Sequence, residues 1–343
     1  MENTNQKIIQ AVIDKTNQVC PDSLAMIGIY GSVATEDTHE KSDLDLLILI
    51  EDDDGRKLGA GFILEDRNVG YDIYCTDWAG LKYDAQCHHA HLSKLLDSQI
   101  VYVKNQAAYD ELCALRARAK AFLTSQARFQ RVHECLEQAK VCYANACLLD
   151  DLGAVRLEAC GVVSYLLDAV MLYHGTYFRR GVKRTFEELA ELPLDSVFVQ
   201  TLQKLPLVKN VCELRRNMKQ LMLYAQNHLE NHKSPTEPTE ALAGTYEEMY
   251  SNWRNKVEEA ARNQDAFSSF MNMGSFAYML HGIAEETDIG VFDVMNEYNP
   301  ESLEDNIQVF DANLEKYEQV YRRAGIRVKR FGNVDEFVKD YHS

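Results

Sequence analysis

Along residues 4–19 the apolar side chains Ile8, Ile9, Val12, Ile13 and Val19 recur at the spacing of one helix face, and Cys20-Pro21-Asp22 breaks the pattern. A first helix is expected there. Residues 24–30 and 44–50 are short apolar runs, the first closed by Gly31-Ser32 and the second by the turn-like Asp52-Asp53-Asp54-Gly55, and both read as buried strands. Residues 61–64 and 69–75 read as two more strands about an Asp66-Arg67-Asn68 turn, and Thr76-Asp77 offers an N-cap for a helix starting near Trp78. From about residue 106 the period changes from 2 to 3.6, with long helical patterns at 109–123, 129–149 and 155–173. A stretch rich in Pro, Thr and Ser at 231–244 reads as a linker. Further helical patterns follow at 246–261, 266–285 and 303–324, and the tail at 326–341 reads as a short strand and a last helix. The expected fold class is α+β: a small mixed-sheet domain at residues 1–105, a helical bundle at 106–235 and a C-terminal helical region at 245–343. No repeat at a solenoid period is present.

Composition narrows the partners more than the fold. The chain has 343 residues, 46% hydrophobic and 26% charged, the balance of an ordinary globular protein with ample material for a core. Its formal net charge of −17 leaves no broad basic footprint for nucleic acid or anionic lipid, and favours cations, divalent metals and amine-bearing small molecules among them. The nine cysteines are odd in number and contain no CxxC pair, so neither a disulfide framework nor a zinc ribbon is indicated and a reducing cytoplasm is expected. The polar start Met1-Glu2-Asn3-Thr4-Asn5-Gln6 lacks the layout of a secretory signal, and the most apolar stretch, 160–178, is interrupted by Asp168 and His174. No membrane association is expected, and monomer and homodimer both remain open.

The chemistry concentrates in the first two strands. A strand ending in Gly31-Ser32 lets backbone approach a ligand closely and presents a hydroxyl and an amide to a phosphate oxygen. Asp43 and Asp45 stand two apart at the start of the next strand, so their carboxylates share one face while Leu44 and Leu46 turn to the other. Hard cations such as Mg2+ take oxygen ligands and bridge protein carboxylates to substrate phosphates, which is what such a pair suits. A third carboxylate on a neighbouring strand would complete the set. Asp72 is the one carboxylate inside the 69–75 pattern, whereas Asp66 and Asp77 occupy turn and cap positions.

Gly31-Ser32 followed by Ser42-Asp43-Leu44-Asp45-Leu46-Leu47-Ile48 resembles the signature of the polymerase-beta-like nucleotidyltransferases, and Asp72 falls where that family carries its third metal-binding acid. A small N-terminal catalytic domain followed by helices is similar to antibiotic nucleotidyltransferases of the aminoglycoside and lincosamide type, as is the segment from His174-Gly175-Thr176-Tyr177-Phe178 to Lys183. The resemblance implies Mg2+ at Asp43, Asp45 and Asp72, with an NTP, usually ATP, as donor. It implies transfer of a nucleoside monophosphate to a hydroxyl of a small molecule, with an aminoglycoside-type antibiotic among the acceptors, and release of pyrophosphate. In those relatives a carboxylate from the helical half acts as general base. Glu158 is the leading candidate for that role here, on an acidic face shared with Tyr165 and Asp168, and Asp150 and Asp151 are rivals. Protein nucleotidylation of the toxin-antitoxin kind and a non-catalytic nucleotide-binding regulator are the alternatives.

Arg179, Arg180, Lys183 and Arg184 are the densest basic cluster in an acidic chain, and Arg179 and Lys183 are the candidates for the triphosphate. The same residues, like Arg215, Arg216 and Lys219, also read as ordinary loop and helix-end charges. Cys87, His88, His89 and His91 invite a zinc reading that no second ligand cluster supports.

Overall fold

Strand alternation sets the layering of the N-terminal region. The structure, a computed structural model, describes residues 2–38, 42–229 and 242–342. Helix α1 (Glu2–Val19) leads into β1 (Leu24–Tyr30), a short helix α2 (Gly31–Ala34) and β2 (Asp45–Ile50). A hairpin of β3 (Ala60–Leu64) and β4 (Val69–Ile73) follows, then β5 (Cys75–Asp77), α3 (Trp78–Asp84), α4 (Ser93–Leu96) and β6 (Gln99–Val103). The main sheet has four strands in the order β5-β2-β1-β6, with β1 antiparallel to both β2 and β6, and β2 parallel to β5.

In β2, Leu46, Ile48 and Ile50 turn to a layer formed with α1 and the hairpin, where Val12 and Tyr71 lie buried, while Leu47 and Leu49 turn to the helices on the other side. Period-2 alternation therefore places Asp45 on the helix-covered face. The mixed α+β architecture agrees with expectation, with three local differences. The Asp52 turn is a 3-10 helix, Asp53–Leu58, entered through the Asp52 carboxylate accepting from Gly55 N–H at 3.3 Å. The run at 69–75 breaks at Tyr74, where the chain leaves the hairpin for the main sheet. Strand β6, short and alternately half-exposed at the sheet edge, carried no clear sequence signal.

Helices then take over, as expected: α5 (Gln106–Thr124), α6 (Arg128–Leu148), α7 (Leu152–Tyr173), α8 (Thr185–Leu189), α9 (Ser196–Lys204) and α10 (Val211–His228). Asn105, Asp151 and Asn210 cap α5, α7 and α10 by accepting from backbone N–H groups at 2.8 to 2.9 Å. At the C-terminal end of α7, Gly175 takes φ +68° and donates to Leu172 O, and Thr176 donates to Met171 O, so two of the last carbonyls are satisfied. A Cβ at residue 175 would stand 2.7 Å from Leu123 O, which is why the turn needs glycine.

The chain divides into two compact units, 1–231 and 232–343. Sheet and helices through α10 belong to the first unit, and the expected 105/106 boundary falls inside it, between β6 and α5. The expected linker at 231–244 lies outside the described residues up to 241. The second unit has its own core of Phe276, Phe310, Tyr317 and Tyr321 among α11 (Thr245–Met249), α12 (Asn255–Arg262), α13 (Ala266–Glu286) and α14 (Leu303–Arg323), followed by α15 (Val334–Tyr341). The helix expected over 246–261 is interrupted by a π-helical turn at Tyr250–Arg254, and no strand forms at 326–333.

Candidate active site

Gly31 and Asp45 are built around each other. Residue 31 adopts φ +66°, and a Cβ there would sit 1.9 Å from Asp45 Oδ2, so glycine alone lets the carboxylate lie against the backbone. Ser32 donates its backbone N–H to the Asp45 carboxylate. The amide expected to meet a phosphate is thus engaged, and the Ser32 hydroxyl is the group that remains for a ligand. Burial, and after it the neighbouring Asp43 charge, push the Asp45 carboxyl above the ordinary range despite that hydrogen bond. Tyr30, one residue before the turn, is pushed up to about 12 by burial and by Asp45, Asp43, Asp84 and Asp72.

A cavity of about 570 Å³ opens over this turn, lined at its floor by Tyr30, Gly31, Ser32, Asp43 and Asp45. One wall is the segment joining α3 to α4. Asp84 is buried there, 3.3 Å from His89 Nε2 and 3.2 Å from Lys94 Nζ. Burial alone would raise its carboxyl, but the hydrogen bond from His89 and the Lys94 ammonium outweigh burial and hold it below the usual carboxylate range. The segment is pinned from the helices. Asp168 of α7 accepts from Ala90 N–H at 2.8 Å, Phe178 N–H donates to Ala90 O at 2.8 Å, and Arg131 Nε donates to Gln86 O at 3.3 Å. His91 is held in consequence, its ring stacked on Phe178 at 5.2 Å and its Nε2 3.9 Å from Asp168 Oδ1.

The opposite wall is the basic stretch after α7. Arg184 makes a two-pronged contact with the Asp37 carboxylate, Nε to Oδ2 at 2.9 Å and Nη2 to Oδ1 at 2.5 Å, and Lys183 Nζ donates to Asp37 O at 2.7 Å. Hydrogen bonding from Arg184 holds the Asp37 carboxyl far below the usual range. Arg180 contacts Glu187 and Glu188, and the buried Glu188 carboxylate also accepts from the backbone N–H groups of Arg179 and Arg180. Arg179 lies over the Tyr177 ring at 5.4 Å and makes no ion pair among the described residues. The segment is thereby tied to the loop that follows Gly31-Ser32, and Arg179, Arg180 and Lys183 line the same cavity as Asp43 and Asp45.

Residues 7–102 match the family model of the nucleotidyltransferase domain. The match spans β1, α2, β2 and all the cavity residues up to Lys94. Among solved structures the chain is similar to a nucleotidyltransferase-like protein from Exiguobacterium sibiricum 255-15, at 12% identity and a TM-score of 0.36, over 81% of this chain and 91% of that one. No curated protein matches it.

The region that matches this family model and the segment after α7 bring together six of the residues expected in the site, namely Gly31, Ser32, Asp43, Asp45, Arg179 and Lys183. Asp72 is exposed on β4, where it stands opposite Gly61 of β3, and does not line the cavity. Its charge is nevertheless among those that act on Tyr30. Glu158 lines neither this cavity nor its neighbour; it faces Cys142 of α6, whose thiol is raised by burial and by the Glu158 charge. Asp151 is the N-cap of α7, and Asp150 is exposed 3.5 Å from Arg215.

Cys87, His88, His89 and His91 do not converge. Cys87 is buried with its thiol pushed up to about 11 by burial, and His88 stacks on Tyr83 at 4.3 Å. Asp84 and Lys94 are marked by neither spacing nor composition, while His91 reads in the sequence only as a zinc candidate and Phe178 only as part of the family-like segment. The cue that existed was the cluster of His89, His91 and Lys94 within six positions of the chain. Among the described residues no complete cage of His, Cys, Asp or Glu ligands exists. Asp43 and Asp45 nevertheless fit Mg2+ in donor type: the Asp43 charge adds to burial in raising the Asp45 carboxyl, and a magnesium ion commonly completes its shell with phosphate oxygens and water.

Proposed function

We propose that the chain transfers a nucleoside monophosphate, with ATP as the first donor to test, to a hydroxyl of a small molecule and releases pyrophosphate. The observation that carries this reading is the Gly31–Asp45 contact, which fixes an acidic floor beneath a rim of Lys94, Arg179, Arg180 and Lys183. An acidic floor alone would repel a triphosphate, and a cationic rim alone would hold any phosphate. Together they suit a metal-loaded triphosphate. Mg2+ held by Asp43 and Asp45, with Asp72 alongside, would neutralise the carboxylates and the phosphate oxygens.

The remaining roles belong to the chain itself. The Ser32 hydroxyl and the cationic rim orient the triphosphate so that the α-phosphorus faces the acceptor. The acceptor oxygen forms a bond to that phosphorus, the bond from the α-phosphorus to the bridging oxygen breaks, and pyrophosphate leaves with the electron pair, its charge met by Arg179 and Lys183. His91 takes the hydroxyl proton, in place of the expected Glu158. Support for His91 comes from its position in the cavity lining and from its two fixed neighbours, Phe178 and Asp168.

The test is pyrophosphate release with ATP, GTP, CTP and UTP in Mg2+ over a panel of aminoglycosides, lincosamides and simple alcohols. The reading requires release that Asp45→Asn abolishes while the protein stays folded. Firm ATP binding without release on any acceptor would replace it with a nucleotide-binding regulator. Label appearing on the protein itself would replace it with protein nucleotidylation.

A further inference from the structure

A second cavity, of about 560 Å³, adjoins the first and shares His91, Phe178, Arg180 and Val182 with it. Its long wall is one face of α7, where Arg156, Ala159, Cys160, Val163 and Leu167 recur at helical spacing. From Arg156 to Leu167 the helix rises about 16 Å, so the cavity is a trough with two distinct ends. At one end His91 and Arg180 open onto the floor of Asp43 and Asp45. At the other stands Arg156, whose Nη2 donates to Val208 O at 3.0 Å and which makes no ion pair among the described residues. Between the ends the lining is mostly apolar, interrupted by the hydroxyls of Ser164 and Thr185 and the thiol of Cys160, and no Asp or Glu contributes to it among the described residues.

We infer that this trough is the acceptor subsite and that it takes an elongated apolar molecule with an anionic head at Arg156 and a hydroxyl at the His91 end. The inference rests on the transferase reading above for its hydroxyl end, and on the trough alone for its body and head. A polycationic aminoglycoside fits the body and head end poorly: no carboxylate lines the wall among the described residues, and Arg156 stands there without an ion pair. The volume lies within the usual range for small-molecule sites, about 300–1,000 Å³, which bury most of a ligand against apolar lining with a few polar groups at fixed points. The net charge of −17 does not exclude an anion. Beyond about 8–10 Å of ionic solution the rest of the surface is screened; at the head end Arg156 makes no ion pair among the described residues, whereas at the other end Arg180 is paired with Glu187 and Glu188 and His91 lies beside Asp168.

Calorimetry on the full chain with laurate, ω-hydroxylaurate and dodecylamine reads the body and head. Both carboxylates should bind, dodecylamine at least about tenfold more weakly, and Arg156→Gln should weaken laurate by about tenfold, as loss of a charge-assisted hydrogen bond does. Cys160, exposed and facing the trough, supplies an independent readout. Cys160→Phe should remove binding, and in the wild type laurate should slow modification of Cys160 by N-ethylmaleimide, followed by peptide mass spectrometry. That second measurement stands even if the Phe variant does not fold. No laurate binding, equal binding of the amine, or unprotected Cys160 overturns the inference.

Pyrophosphate release reads the hydroxyl end: ω-hydroxylaurate should support it with ATP and Mg2+, and laurate should not. Transfer to an aminoglycoside without laurate binding rejects the amphiphile and leaves the transferase reading standing. Laurate binding with no transfer from any nucleotide to any acceptor rejects the transferase reading, and with it the acceptor role of the trough.

Discussion

Gly31→Ala is the sharpest perturbation available. Alanine at φ +66° costs about 1–2 kcal/mol, because a Cβ in the left-handed region crowds its own carbonyl. The new methyl would also stand 1.9 Å from Asp45 Oδ2, a distance no pair of atoms tolerates, so the Asp45 side chain must swing off its rotamer for about another 0.5–1.5 kcal/mol. Together the loss is about 1.5–3.5 kcal/mol. For a cooperative unit of this size that corresponds to about 3–14 °C in Tm, read by differential scanning fluorimetry. Displacing the carboxylate proposed to hold the metal by an ångström should cost activity more steeply, about 100-fold or more in kcat/KM for pyrophosphate release. Gly175→Ala is the control. It has the same left-handed strain, φ +68°, and a backbone carbonyl 2.7 Å from the new methyl, but no carboxylate of the site beside it. It should lower Tm comparably and leave kcat unchanged. Wild-type Tm and activity in Gly31→Ala would refute the reasoning, as would equal activity losses in the two variants.

Asp45→Asn should raise the Tm of the metal-free protein at neutral pH while abolishing transfer. A carboxyl whose folded pKa lies above its unfolded value contributes stability that is lost as pH rises through the folded value, so ionised Asp45 is a destabilising charge that Asn removes; an unchanged or lower Tm contradicts this. Asp37 has the opposite sign: its folded carboxyl is depressed by Arg184, so its stabilising contribution is present above the ordinary carboxylate range and lost below it. Asp37→Asn should therefore flatten the acid side of the stability profile and, by loosening Lys183 and Arg184, raise KM for the nucleotide. His91→Asn should lower kcat without changing the Kd for ATP in Mg2+; an undiminished kcat would return the base role to another group.

Strand alternation made much of the fold legible, and it did so through particular positions. Leu46, Ile48 and Ile50 on one side and Leu47 and Leu49 on the other require two apolar layers, which α1 with the hairpin and the helical bundle supply. The Gly31-Ser32 and Asp43-Leu44-Asp45 spacing was legible because each feature constrains a neighbour at short range. The Glu158 expectation came from helical periodicity, which gives the angle of a side chain around α7 but not which element packs against it. Periodicity groups Glu158 with Asp168, yet Glu158 meets Cys142 whereas Asp168 holds Ala90. Asp84 ends α3, Lys94 lies in α4 and His91 sits on the irregular segment between them, whose path is set by long-range contacts from α6 and α7 that no local pattern reports. Residues 179–184 read more readily as ordinary surface charges, and only the positions of Asp37 and Glu188 beside them show how the segment is held.

The position of the label in the product tests the central claim most directly. Incubating the wild type and Asp45→Asn with ATP labelled at the α-phosphate, and separately at the γ-phosphate, in Mg2+ with ω-hydroxylaurate, aminoglycoside and lincosamide acceptors distinguishes the bond that breaks. The account predicts that the α-label moves to a small-molecule product, that the γ-label leaves only as pyrophosphate, and that Asp45→Asn transfers neither. Transfer of the γ-label, or undiminished α-label transfer by Asp45→Asn, would contradict it.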